Sequence, residues 1–332
     1  MKLKLEIDAP PNEHDLFYPG MILSGKLYAK STKVHKDYES ITVTLMSQVH
    51  VGVDLTKETT TTNNPHEYKT IVPDNESAFS DDSLYDTSSE TVMRNSITLW
   101  QRAFVGDHFP PGNFVYHFKF TLDESSLPSY GDGRGRITHK IIGDILNEKK
   151  EVKKSAKKHF TFMNIVDANE PHLMQPAMME VSRVLRSILW FIPGGSFNMK
   201  VTIPRTGYSP NDVIPVAVFI DNGSGREIRQ VVATLLRTTM YKTKGNYTHQ
   251  CHCHVSTTIS NPVPAHTTAN WEPPPLPVPD MISTVTGGKL TIIEIKYTIR
   301  VTAFISWAYK DIMIDIPIVI GNVQPASIAT NE

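Results

Sequence analysis

The sequence predicts an all-β chain built from two Ig-like β-sandwich domains. Three observations carry this. Segments in which apolar and polar residues alternate recur from one end to the other, the period of half-buried strands. Turns rich in Gly, Pro, Asn and Asp separate them at roughly 8–12 residues, the rhythm of sandwiches. One turn-and-strand unit is also stated twice, as Tyr18-Pro19-Gly20 before Met21-Ile22-Leu23 and as Tyr208-Ser209-Pro210-Asn211 before Val213-Ile214. Proline at the second turn position and Gly or Asn at the third suit a tight turn. Pro19 and Pro210 lie 191 residues apart, a spacing for two related domains and not for a short-period solenoid.

The 332 residues are enough for two cores. A net charge of −1 gives no global field toward nucleic acid or membrane. The start, Met1–Asp8, alternates instead of forming an apolar signal stretch, and no run reaches the length of a membrane span. Cys251 and Cys253, the only cysteines, are one residue apart, a poor separation for a disulfide. Free thiols in a reducing cytosol follow.

In order, Leu3, Leu5 and Ile7 mark a first strand, and Ile41, Val43 and Leu45 another. Residues 54–92 are Thr-rich and then acidic, which reads as a mobile loop. Within it Ser83 and Thr87 each precede an acidic residue by three positions, as some phosphorylation sites do. Phe114, Tyr116, Phe118, Phe120 and Leu122 form an aromatic ladder after Pro110-Pro111-Gly112. Gly131-Asp132-Gly133-Arg134-Gly135 lacks the spacing of either phosphate loop and precedes a strand, so phosphate binding is set aside. Lys149, Lys150, Lys153, Lys154, Lys157 and Lys158 crowd a segment between two strands and read as a hairpin tip. Such a run is ordinarily a solvated turn; its functional reading is a basic patch for acidic cargo tails or anionic lipid headgroups.

Val181, Val184, Leu185, Ile188 and Leu189 follow helical spacing, so 181–189 taken alone is an amphipathic helix. Alternation then returns at Phe197–Ile203 and ends in Ile293–Val301 and Ile312–Ile320. The predicted boundaries are a first sandwich over 1–168, a linker over 169–178, a second sandwich over 179–322 and a short tail over 323–332.

Chemistry is sparse. His249, Cys251 and Cys253 share one face of a strand, but structural zinc sites want two separated pairs of ligands, so an exposed strand or hairpin tip is the preferred reading over a metal site. No G-x-S-x-G elbow, paired acid–base signature or cofactor motif occurs, and no enzyme or cofactor is expected. The aromatics sit on strand faces without interleaved arginines, which argues against nucleic acid.

Taken in order, Tyr18-Pro19-Gly20 with Gly25, Pro111-Gly112 before the aromatic ladder, Leu127-Pro128-Ser129 and Gly135-x-Ile137 resemble the arrestin family, in its alpha-arrestin branch. So do Gly207-Tyr208-Ser209-Pro210, Asn222-Gly223-Ser224, Pro273–Pro277, Ile295-x-Tyr297-x-Ile299 and Ile316–Gly321. The resemblance implies two sandwiches packed end to end, strand at 181–189, and Tyr18, Pro19, Gly20, Tyr208, Pro210 and Asn222 as fold markers. It also implies a non-enzymatic cytoplasmic adaptor, peripheral at plasma membrane and endosomes, that binds cytoplasmic regions of membrane receptors or transporters and links cargo to sorting or ubiquitination. The sequence holds no PPxY motif for a ubiquitin ligase, and Pro274-x-x-Pro277 has no flanking Arg or Lys for an SH3 groove. A retromer-subunit-like scaffold, with a related double sandwich in a fixed complex, is the alternative.

Overall fold

The computed structural model describes residues 1–12, 15–54, 59–62, 85–105, 108–123, 126–186, 193–243, 248–286, 292–305 and 310–322. The first half holds β1 (Lys2–Ile7), β2 (Leu16–Phe17), β3 (Ile22–Ser31), β4 (Ser40–Asp54), β5 (Thr59–Thr62) and β6 (Tyr85–Gln101). A one-turn helix, α1 (Arg102–Val105), leads to β7 (Gly112–Thr121), β8 (Tyr130–Gly131), β9 (Gly135–Leu146) and β10 (Val152–Phe162). The second half opens with β11 (Ala177–Arg186), β12 (Pro193–Ile203), β13 (Gly207–Tyr208), β14 (Val213–Ile214) and β15 (Ala217–Asn222). It continues with β16 (Ile228–Lys242), β17 (Thr248–Ile259), β18 (Thr267–Trp271), β19 (Leu276–Pro277), β20 (Ile293–Ile305) and β21 (Ile312–Ile320).

Each half is built on two main sheets, and the second adds a two-stranded ladder of β14 and β19. In the first, β1-β3-β7 faces β2-β10-β9-β4-β6; in the second, β11-β12-β15-β18 faces β13-β21-β20-β16-β17, with β5 added beyond β17. The orders correspond strand for strand: β2, β10, β9, β4 and β6 with β13, β21, β20, β16 and β17, and β1, β3 and β7 with β12, β15 and β18. The repeated turn marks the same place in both. Phe17 pairs in parallel with Phe162, and Tyr208 with Ile320, the last strand of each half. The chain then turns through Gly20 (φ +77°) and Asn211 (φ +72°), left-handed conformations that Gly and Asn adopt at least cost.

Alternating side chains fill the cores. Leu23, Leu27, Ile41, Val43, Leu45, Ile141, Ile145 and Phe162 are fully buried in the first. Phe197, Val201, Ile220, Leu235, Ile295, Ile299 and Ile320 are fully buried in the second. Val49, Val51, Leu127, Tyr130 and Ile137 of the first half pack into the second core, so the halves meet through continuous apolar contact.

Two expectations change, and the strand that the family resemblance implies at 181–189 is found where that segment is described. The expected loop over 54–92 contains strand at Thr59–Thr62 and from Tyr85 onward, and Thr87 stands opposite Gly52 in the β4–β6 ladder. Its residues 63–84, with Ser83, lie outside the described residues, as does the tail 323–332. The helical spacing at 181–189 is coincidental where it is described: β11 runs to Arg186, Leu185 is buried, and Val184 of the same stripe is 72% exposed. Residues 187–189 lie outside the described residues. The segment expected as a linker is packed, with Leu173 buried and its carbonyl accepting from Thr206 and Gly207 N–H.

Candidate functional site

The six lysines are not a hairpin tip. Only Lys149 and Lys150 sit in the turn; Lys153, Lys154, Lys157 and Lys158 lie along β10. The turn is tight because the Asn147 side chain accepts from Glu151 N–H at 2.8 Å and donates to the Glu151 carboxylate at 2.8 Å, with Lys150 at φ +61°. The Asn147 hydrogen bond, then Lys153 at 3.2 Å, holds the Glu151 carboxyl below its usual range. Arg102 anchors the hairpin base, bridging Glu148 to Glu39 at 3.0 Å.

β10 is an edge strand. β9 pairs along one side, while β2 covers only Thr161 and Phe162 on the other; among the described residues no strand is hydrogen-bonded to that edge from 152 to 160. Ala156, Phe160 and Phe162 take the core-facing parity. Lys154 and Lys158 share it yet are exposed, the inward-pointing charge that keeps an edge from pairing indiscriminately. On the outward parity the register aligns His159, Lys140, Met46 and Arg94 across four strands. Exposed Arg94 and half-buried His159 extend this face inward from the edge, with Lys140 between them only 6% exposed, and all three went unread in the sequence. Their signal was parity, since Lys140 alternates with the apolar Ile141.

A second basic surface lies on the outward face of β1-β3-β7. A hollow of about 650 Å³ is lined by Lys2, Lys4, Lys30, Tyr28, Phe114 and Val115 among others. Lys4 sits 5.9 Å over the Tyr28 ring and 2.5 Å from Glu6. Their hydrogen bond raises the Lys4 pKa and lowers that of Glu6.

His249, Cys251 and Cys253 do share a strand face, but it is the buried one, at 1%, 2% and 1% exposure, and the expected exposed strand or tip is corrected. The alternation there has cysteines standing in for core apolars. Neither cysteine is in a disulfide, and no cluster of three His, Cys, Asp or Glu suited to a metal occurs among the described residues. In the Gly131–Gly135 turn Asp132 occupies the amides itself, accepting from Arg134 and Gly135 N–H at 2.8 and 2.7 Å. The proline-rich stretch is half-interior, with Leu276 and Val278 each 1% exposed and β19 paired to β14.

The residues expected as fold markers lie in the two equivalent turns and in the second core. Tyr208 is fully buried, with the Arg205 guanidinium 4.9 Å over its ring, and Arg205 pairs at 2.8 Å with Asp212, which also accepts from Ser209 N–H. Asn222 has no exposed surface; its amide donates to the carbonyls of Arg226 at 2.7 Å and Pro264 at 2.9 Å, and its oxygen accepts from Ser224. Tyr18, Pro19 and Gly20 form the equivalent turn, closed by Met21 N–H to the Tyr18 carbonyl.

Comparison with known proteins matches this architecture half by half. Residues 3–169 match the family model for the N-terminal domain of arrestin (or S-antigen), and residues 193–325 that for its C-terminal domain. Arrestin domain-containing protein 4 of Homo sapiens is 25% identical over 213 residues, 64% of this chain and 49% of that protein. Thioredoxin-interacting protein of Sus scrofa is 26% identical over 223 residues, 67% of this chain and 55% of that protein, and that of Rattus norvegicus gives the same figures. The chain thus spans about half the length of the curated relatives it matches. Two sandwiches with equivalent strand orders, each matched in its own half, show that the chain belongs to the arrestin family, in its alpha-arrestin branch.

Proposed function

We propose that this protein is a non-enzymatic adaptor that binds the cytoplasmic regions of membrane receptors or transporters and helps sort them, peripherally at plasma membrane and endosomes. The observation that carries the reading is β10: an edge that, among the described residues, has no ladder partner over 152–160, bearing four exposed lysines on a face that reaches Arg94 across the sheet. An extended acidic cargo tail adds to that edge through main-chain bonds, and the lysines select its charge. No described helix is long and apolar enough to cross a membrane, which fits recruitment from one side. One relative's name states an interaction with thioredoxin. We do not extend it to this chain: thiol exchange needs an accessible thiolate, and both cysteines are buried.

Neutralising Lys153, Lys154, Lys157 and Lys158 to Gln tests the reading. Each lysine contributes on the order of 1 kcal/mol near an anionic surface, so recruitment to cargo-bearing membranes should fall at least tenfold. An acidic tail peptide and vesicles with an anionic lipid, titrated separately, distinguish cargo from bilayer. Unchanged recruitment retires the β10 site, and loss of vesicle binding alone assigns it to lipid.

A further inference from the structure

The outward sheets of the two halves carry equivalent hollows. In the first, Tyr28 of β3 lies between Lys4 of β1 and Val115 of β7; in the second, Phe219 of β15 lies between Lys200 of β12 and Asn270 of β18. Tyr28 and Phe219 are 191 residues apart, the spacing of the two turns. The hollow over Phe219 measures about 440 Å³. Both therefore keep an aromatic floor flanked by a lysine.

The rims differ in sign. Lys2, Lys4 and Lys30 with Glu6 surround Tyr28, whereas Glu180, Asp221 and Glu272 with Lys200 surround Phe219. Asp221 stands at the position equivalent to Lys30. A net charge of −1 thus conceals a separation of signs onto two equivalent surfaces. The acidic one is also sticky. Phe219 is 42% exposed in mid-sheet, and Met178 and Val184 of β11, on the same outward parity as Glu180, are 57% and 72% exposed. Large apolar side chains gathered on one open face mark a contact surface. A carboxylate rim around them selects a cation-bearing partner, and an arginine can stack on Phe219 or Trp271 while reaching the acids.

We propose that the Phe219 hollow docks an extended basic and apolar segment of the cargo, of the Lys- and Arg-rich kind that flanks membrane spans on the cytoplasmic side. This rests on the adaptor reading and makes recognition bipartite, with acidic text read at β10 and basic text here. The basic Tyr28 hollow of a second copy has the complementary charge, but two hollows do not fill one another, and a slender segment fits better.

The test uses the full chain and a labelled synthetic peptide in which arginine and leucine alternate at every second position with serine between. An extended chain then puts both on one face. Anisotropy should show binding that falls as salt rises and is absent for the glutamate-for-arginine control. Glu180→Lys with Glu272→Lys, both exposed, should weaken it at least about tenfold, and Phe219→Ala by about tenfold, the size of one interface anchor. Both variants should bind the acidic tail peptide as the wild type does. Equal binding by wild type and variants overturns the proposal, as does no binding at low salt. Sedimentation showing self-association that these substitutions abolish also overturns it, in favour of a second copy. Loss of acidic-peptide binding through the β10 lysines is read in a separate titration, so failure of the adaptor reading and of this one are distinguishable.

Discussion

His139 is 2% exposed, yet both ring nitrogens are engaged: Nε2 donates to the Leu127 carbonyl at 2.9 Å and Nδ1 lies 2.7 Å from Ser47 Oγ. A carbonyl can only accept, so the proton is on Nε2 and the Ser47 hydroxyl donates to Nδ1. The neutral ring is thereby satisfied. Phe160 and Phe162 close around it at 5.6 and 5.3 Å between ring centroids. Burial pushes its pKa down to about 4, partly opposed by the Leu127 hydrogen bond. The unfolded chain titrates near 6.5. Between these values the unfolded state holds a proton that the folded state does not, so stability falls as pH falls through the window and is unaffected above it. The loss from this group is about 2 kcal/mol between about pH 7.5 and about pH 5. Urea midpoints at the two pH values should therefore separate more for wild type than for His139→Gln, which retains a donor for Leu127 and an acceptor for Ser47. Equal separations would remove His139 as the source. In the sequence, alternation puts His139 on one face with Ile137 and Ile141. It said nothing of Ser47, because a partner 92 residues away is set by the β4–β9 register and not by local pattern.

At the scale of elements, what was legible depended on how many sides of a strand are constrained. β20 and β21 are buried on one face and alternate cleanly, and both were read directly. β6 was missed because Tyr85–Gln101 opens with Tyr-Asp-Thr-Ser-Ser-Glu: among the described residues it pairs with β4 alone, and the ladder hydrogen bonds hold it without an apolar stripe in that part of its sequence. β10 hides differently, since lysines at the inward parity of an edge break the alternation that would announce a strand. Those lysines make a prediction of their own. Lys154→Val with Lys158→Val restores a flat apolar edge beside Ala156 and Phe160, the pattern that invites strand addition. The double variant should fold with an unchanged far-ultraviolet spectrum but aggregate sooner on heating, as followed by light scattering. The equivalent Lys-to-Gln variant, polar but uncharged, should fall between. A soluble valine variant would show that the lysines serve binding alone.

At the scale of the whole molecule, the sequence announced two domains through one repeated turn but not the joint between them. That joint has a polar centre. Asp132 receives two backbone N–H groups from its own turn on one oxygen, and on the other the hydroxyls of Tyr130, at 2.7 Å, and of Tyr241 from the second sandwich. The two hydroxyls are themselves 3.0 Å apart. Tyr241 is fully buried, and burial, then the neighbouring Tyr130 and Asp132, pushes its pKa well up, so it stays a donor at any working pH. Gly135 beside them has no room for a side chain, which would meet the Tyr241 ring and Ile293. Further out, Asn322 ties the halves again, accepting from Val166 N–H at 2.8 Å and donating to the Asn164 carbonyl at 2.6 Å. Because Val49, Val51, Leu127, Tyr130 and Ile137 lie in the second core, apolar contact and this carboxylate act on one interface. Asp132→Ala removes the acceptor and leaves the Tyr241 hydroxyl buried with only Tyr130 beside it, at a cost of about 1–3 kcal/mol. Tyr241→Phe keeps the ring and should cost about 1 kcal/mol. The sharper readout is cooperativity. If the joint couples the sandwiches, wild type should melt in one calorimetric transition and Asp132→Ala in two, with only the transition containing Tyr130 displaced strongly. A single transition lowered uniformly in the variant would mean that the apolar contact alone holds the domains together and that the Asp132 cluster merely adds stability.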